Sequence, residues 1–145
     1  MFPAKPSTSA MTFVDTNILL YAICPGGQDQ AKAQTARQIL RRDDLALSVQ
    51  VLQEFYVQAT RPTRTQPLAH ADATALIELW LRFQVVDLSV PLLQAALRLK
   101  ARYQTSYWDA AILAAATTAG CEELLSEDLN PGQSYGSIRV VNPFS

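Results

Sequence analysis

The sequence predicts an α/β domain: a three-layer sandwich in which a central parallel sheet of about five strands is covered by helices on both faces. Three observations predict it. Short apolar or β-branched runs recur along the chain, each is followed by a longer stretch with apolar residues at helical spacing, and no internal repeat or linker interrupts the alternation after Met11. With 145 residues and 49% hydrophobic composition the chain fits one domain with a sizeable core.

Residues 1–11, with Pro3, Pro6 and several small side chains, read as a flexible tail without the apolar stretch of a secretory signal, and residues 12–145 as the domain. Met11 stands as an alternative translation start. Thr12 to Val14 is the first strand; it ends at Asp15 and turns directly into a helix over Asn17 to Ile23, which Cys24-Pro25-Gly26-Gly27 terminates. A second helix from Asp29 buries Ala33, Ala36, Ile39 and Leu40 and leaves Arg37, Arg41 and Arg42 outside. Leu45 to Val49 is the second strand, and Ser48 or Gln50 opens a helix over Val51 to Thr60 that Pro62 stops.

Leu68 to Phe83 repeats Leu76, Leu79, Trp80 and Phe83 at helical spacing, and Val85 to Leu88 is the third strand. Ser89 and Pro91 are the N-cap and early-turn residues of a helix reaching Tyr103. An Ala-rich helix over Tyr107 to Ala119 closes on Gly120, followed by strands at Leu124 to Ser126 and Ile138 to Val141.

Twelve Lys plus Arg against thirteen Asp plus Glu give a net charge of −1, which excludes a globally basic nucleic-acid binder and leaves only local patches for such contacts. No apolar run reaches the ~18 residues of a membrane span, so the expectation is a soluble protein. Cys24 and Cys121 are too few for a disulfide scaffold and suit a reducing cytoplasm.

In such a sheet, ligands bind beyond the carboxyl ends of the strands. Asp15 ends the first strand, Asp128 lies just past the fourth, Glu54 lies one turn into the helix after the second, and Asp109 lies in the first turn of the Ala-rich helix. Singly, each has a structural alternative as a helix cap, a dipole partner, a solvated acid or a turn residue. Converging on one edge, four carboxylates cannot all stay ionised without a cation. All-oxygen ligation without His or Cys favours Mg²⁺ or Mn²⁺. Such a metal suits phosphodiester hydrolysis, because it polarises the phosphoryl oxygen, generates hydroxide and neutralises the leaving oxygen.

Four blocks in order carry a family resemblance: Phe13-Val14-Asp15-Thr16-Asn17-Ile18-Leu19-Leu20-Tyr21-Ala22, the Glu54 helix, Tyr107-Trp108-Asp109-Ala110-Ala111-Ile112, and Leu124-Leu125-Ser126-Glu127-Asp128-Leu129. Together with Arg139-Val140-Val141-Asn142-Pro143-Phe144 they resemble the PIN domain, in particular the VapC-type toxins of prokaryotic toxin–antitoxin pairs. The resemblance spans Thr12 to Phe144. It implies a PIN-like fold and a cytoplasmic, Mg²⁺- or Mn²⁺-dependent endoribonuclease that hydrolyses RNA phosphodiester bonds, is held inactive by a small antitoxin and commonly forms a homodimer. Residue by residue, Asp15, Glu54, Asp109 and Asp128 match the family's acidic quartet, and Asn17 and Ser126 match polar positions that orient ligands or substrate. Asp15 and Asp109 are then the main metal ligands, Asp128 holds the same or a second ion, and Glu54 acts through water or completes the second site.

Arg61 and Arg64 follow the Glu54 helix and are candidates to grip RNA phosphates, with solvated loop charge as the alternative. Glu127 competes with Asp128 as a ligand. His70, the single histidine, lies outside every motif and reads as a surface or capping residue. Trp80, with Leu76 and Phe83, reads as core, with a dimer contact as the alternative. Three rival functions remain in view. A PIN-type nuclease acting on DNA is the runner-up, since carboxylates and metal treat both backbones alike. A non-catalytic binding module on the same fold has no reason to keep a repulsive acid cluster. A haloacid-dehalogenase-type phosphatase needs a second Asp where Asn17 stands and a mid-chain Lys, and none lies between Lys32 and Lys100.

Overall fold

The computed structural model describes residues 11–145. The sheet contains β1 (Met11–Val14), β2 (Leu45–Ser48), β3 (Gln84–Val86), β4 (Cys121–Leu125), β5 (Ser134–Tyr135) and β6 (Ile138–Val141), ordered β3-β2-β1-β4-β6-β5. The helices are α1 (Thr16–Ala22), α2 (Gln30–Ile39), α3 (Val49–Ala59), α4 (His70–Trp80), α5 (Val90–Tyr103) and α6 (Tyr107–Thr118). Five strands run parallel, as the alternating pattern predicts. The sixth, β5, pairs antiparallel with β6.

Burial on both faces explains why the strands read as continuous apolar runs. Phe13 and Val14 point to opposite faces of β1, yet both are fully buried, as are Leu45, Ala46 and Leu47 of β2. Helix α6 is buried from Ala110 through Ala116, and its small side chains let it lie close against α5 and β4. Gly120, φ +75°, follows this helix in the left-handed backbone that ends helices most readily with glycine. Ser48, Ser89 and Ser106 each cap a helix by accepting a backbone N–H.

Several expectations shift. Residues 1–10 of the expected tail lie outside the described residues, and Met11, assigned to that tail, is instead the first residue of β1. Strand β3 is Gln84–Val86 rather than Val85 to Leu88, and β4 begins at Cys121, three residues before Leu124. Helix α4 starts at His70, because Leu68 donates its N–H to the Ala59 carbonyl and so belongs to the connection from α3. Ser48 opens α3, its hydroxyl accepting from Val51 N at 3.3 Å, while Gln50 lies inside the helix. Trp80 is core: it is 4% exposed and meets the Phe55 ring edge-on at 4.8 Å. His70 is exposed and hydrogen-bonds Tyr56 Oη through Nδ1. Among the described residues no helix is long and apolar enough to cross a membrane.

Candidate active site

Strand β1 stops at Val14 because Asp15 changes role there. Its backbone N–H still bonds the Leu125 carbonyl of β4, but its side chain turns to accept the Thr16 N–H at 2.8 Å and cap α1. The other carboxylate oxygen accepts the Ser126 hydroxyl at 2.7 Å. Ser126 is fully buried, and its Oγ also accepts the backbone N–H groups of Asp128 and Leu129, so one hydroxyl folds the loop after β4 around Asp15. Asn17 completes the clasp. Its amide donates to Asp128 Oδ2 at 3.1 Å and its Oδ1 accepts the Glu127 N–H.

Glu54 reaches the same place from α3, where Thr16 Oγ1 donates to it at 2.9 Å. Asp109 arrives on the first turn of α6, its N–H bonded to the Ser106 cap at 3.1 Å. Asp15, Glu54, Asp109 and Asp128 thus come from four different segments and line one cavity of about 410 Å³ at the carboxyl edge of the sheet. Asn17 and Arg64 line it too, whereas Arg61 lies in the adjoining groove.

The electrostatics separate these acids. Asp15 is 8% exposed. Burial pushes its carboxyl up to about 6, the hydrogen bonds from Ser126 and Thr16 pull it back, and the charges of Asp128 and Glu54 push it up again. Glu127 is held differently. Partial burial pulls it upward, but Lys32 Nζ and Tyr21 Oη, both at 2.6 Å, keep it below the usual range. Glu127 and Asp128 both line the cavity, Glu127 with Lys32 and Tyr21 on its two oxygens and Asp128 with the Asn17 amide on one of its own.

Sequence reasoning missed Thr16, Tyr21, Lys32, Gln50 and Trp108 as cavity neighbours or supports. The quoted blocks already contained Thr16, Tyr21 and Trp108, so their place in the motifs was the available signal; Lys32 and Gln50 lie outside the quoted runs. Of the basic residues expected on the second helix, Arg37 bonds the Ala22 and Cys24 carbonyls at the end of α1, while Arg41 and Arg42 lie beyond the end of α2, where Arg42 pairs with Asp44.

The donors fit a hard cation that keeps much of its water. They are all oxygen, and the cavity is roomy. Among the described residues, no three acidic, His or Cys side chains stand close enough together to cage one ion. Mg²⁺ is ordinarily held through one or two carboxylates plus waters, a number of donors that these acids supply.

Ser106→Ala removes the cap that presents Asp109. It is expected to lower stability by about 1 kcal/mol, read as a lower urea midpoint at unchanged slope.

The PIN domain family model matches residues 12–132, and the chain belongs to that family. No curated protein gives a significant match to the sequence. Among solved structures, a toxin–antitoxin complex from Klebsiella pneumoniae contains a chain 21% identical, with TM-score 0.67, over 92% of this chain and 98% of that one. VapC20 of Mycobacterium tuberculosis, described as a sarcin-ricin loop cleaving toxin, is 22% identical with TM-score 0.62, over 81% of this chain and 91% of its own. VapBC2 of Rickettsia felis, bound to a promoter DNA fragment, is 15% identical with TM-score 0.61, over 90% and 96%. At these identities the likeness is one of fold.

Proposed function

We propose that this chain is a metal-dependent endoribonuclease of the VapC type, the toxin of a toxin–antitoxin pair. The observation that carries the reading is the meeting of Asp15, Glu54, Asp109 and Asp128, brought from separate segments into one cavity. Mg²⁺ or Mn²⁺ bound there supplies Lewis-acid stabilisation of the phosphoryl charge and activates water. Asp15 and Asp109 are the principal ligands, Asp128 holds the same or a second ion, and Glu54 orients water from the α3 side. Ser126 and Asn17 fix Asp15 and Asp128 through the hydrogen bonds described above, as outer partners of metal ligands do. RNA rather than DNA is the substrate on the strength of the VapC resemblance. The test is cleavage of total RNA and of matched single-stranded DNA with Mg²⁺, with Mn²⁺ and with EDTA. Cleavage of DNA alone, or cleavage indifferent to EDTA, would sink the reading.

Two partners follow. The antitoxin blocks the cavity with an Arg or Lys that pairs with its carboxylates, as an acidic pocket invites, and covers an apolar groove of the early helices. A second copy of the chain docks through the exposed face formed by Leu88, Val90, Leu93 and Leu97, where three of the four repeat at helical spacing on α5.

Substrate grip rests on few cations. Arg64 lines the acidic cavity and Arg61 the groove beside it. Changing both to Ala should weaken RNA binding and flatten its salt dependence by up to about two counterions, on a slope of ~0.9 or less per phosphate contact. Filter binding at several salt concentrations checks this. An unchanged slope would move the RNA path to Lys32, Arg37, Arg41 and Arg42 or to a dimer mate.

A further inference from the structure

A groove of about 360 Å³ opens beside the acidic cavity and shares Gln50, Glu54, Gln58 and Trp108 with it. Of its seven lining residues only Val57 and Trp108 are apolar, and both are conspicuously wet, at 55% and 64% exposure. A tryptophan left in water one residue from Asp109 gains nothing for the fold. Gln50 adds an independent observation. It is 8% exposed, it lines both the groove and the cavity, and its amide nitrogen is buried without a hydrogen-bond partner among the described residues. Native structures rarely leave a buried donor unpaired, and the exceptions ask for a missing partner.

We propose that this groove binds the nucleobase adjacent to the scissile phosphate, with Trp108 as its stacking platform and the unpaired Gln50 amide turning outward to donate to its edge. The inference rests on the ribonuclease reading and names the substrate contact that reading lacks.

The shape of the lining favours a base over a protein side chain. Trp108 offers one flat aromatic face, and the apolar part of the lining, completed by Val57 and the aliphatic stems of the glutamines, suits the face of a planar ring. The rest of the lining is amide and charge: Gln50, Gln53 and Gln58 offer donors and acceptors to base edges, and Arg61 offers a cation to the next phosphate. Sequence-tolerant stacking is the usual device of proteins that hold unpaired strands, and cleavage in the neighbouring cavity requires a strand whose bases can be splayed away from one another. Because Trp108 is mostly exposed and contacts Tyr107 edge-on at 5.1 Å, trimming it leaves the core untouched.

The experiment compares the wild-type protein with Trp108→Ala, Trp108→Phe and Gln50→Met on single-stranded RNA oligonucleotides. Trp108→Ala is expected to raise KM about tenfold or more with kcat nearly kept, the magnitude of one lost base stack. Trp108→Phe should restore most of it, and Gln50→Met should change the preference among the four bases. A parallel measurement uses inactive Asp15→Asn protein carrying Trp80→Phe, in which Trp108 is the remaining tryptophan. Added oligonucleotide should quench its fluorescence saturably. An unchanged KM in Trp108→Ala, with wild-type RNA cleavage intact, overturns the proposal and leaves the nuclease reading standing. Loss of binding to the small partner protein with RNA kinetics unaltered also overturns it and makes the groove a protein dock. A wild-type protein that cleaves no RNA overturns both readings.

Discussion

Asp15→Asn is expected to lower RNA cleavage by at least about a thousandfold, since a metal's stabilisation of phosphoryl charge is worth several kcal/mol and each 1.36 kcal/mol is tenfold in rate. Expression of the wild-type chain alone should stop growth, and the variant should not. The same substitution should make the metal-free protein more stable. Asp15 is buried with a folded-state pKa of about 6, above its ordinary value of 3.8. Below about pH 3.8 both folded and unfolded chains carry the proton, and the group costs nothing. Between about pH 3.8 and 6 the unfolded chain releases its proton first, so stability falls as pH rises; above about pH 6 the loss is constant. At 1.36 kcal/mol per pKa unit that loss approaches about 3 kcal/mol, with burial of Asp15 the main source and Asp128 and Glu54 contributing repulsion. The substituted amide keeps an oxygen for the Thr16 N–H and has no charge to bury, at the cost of the hydrogen bond that the Ser126 hydroxyl donates to the second carboxylate oxygen. In EDTA the variant should therefore melt above the wild type at about pH 7.5 and converge with it below about pH 4. Equal melting at both pH values would mean that the Asp15 charge is already compensated in the folded protein.

What could be read in advance followed from local chemistry. The runs Thr12 to Val14 and Leu45 to Val49 announced strands, and the residue that ends β1 announced the site, because a parallel sheet delivers its strand ends to one edge. Strand β5 was illegible for a physical reason. It is two residues long, Ser134 and Tyr135, too short to show a period, and it exists because Gly136 at φ +64° lets the chain turn and pair Tyr135 with Ile138. The exact start of β4 was hidden because Glu122 and Glu123, only partly buried or exposed, break the apolar run after Cys121. In the site, the motif residues Asp15, Asn17, Ser126 and Asp128 were legible as a set, yet their bonds were not. Thr16 to Glu54 spans 38 positions, Lys32 to Glu127 spans 95 and Tyr21 to Glu127 spans 106, so each depends on the finished topology. Trp80 was legible as core from its helical spacing with Leu76 and Phe83, and only its partner, the Phe55 ring, depends on how α4 lies on α3.

Metal should reverse the penalty that Asp15 imposes, and should do so in a pH-dependent way. At about pH 5 the folded protein holds a proton on Asp15, so a cation must displace it before it can use that oxygen. At about pH 7.5 the carboxylate is ionised, buried and repelled by Asp128 and Glu54, and a divalent cation meets the charge without that competition. Mn²⁺ or Mg²⁺ at a hundredfold excess over its Kd stabilises a fold by about 2.7 kcal/mol, a shift of several degrees in melting temperature for a chain of this length. That shift is expected at about pH 7.5, and a much smaller one at about pH 5. Asp109→Asn should reduce it while leaving the fold intact, because Asp109 stands on the first turn of α6 with its backbone bonded to Ser106 rather than packed in the core. Ca²⁺ is the useful control, since it occupies acidic sites with looser geometry and more ligands than this cavity brings together. Should melting ignore Mg²⁺ and Mn²⁺ at both pH values while Asp109→Asn cleaves RNA as well as wild type, the four carboxylates would not be a metal site, and the cleft would need another use for its charge.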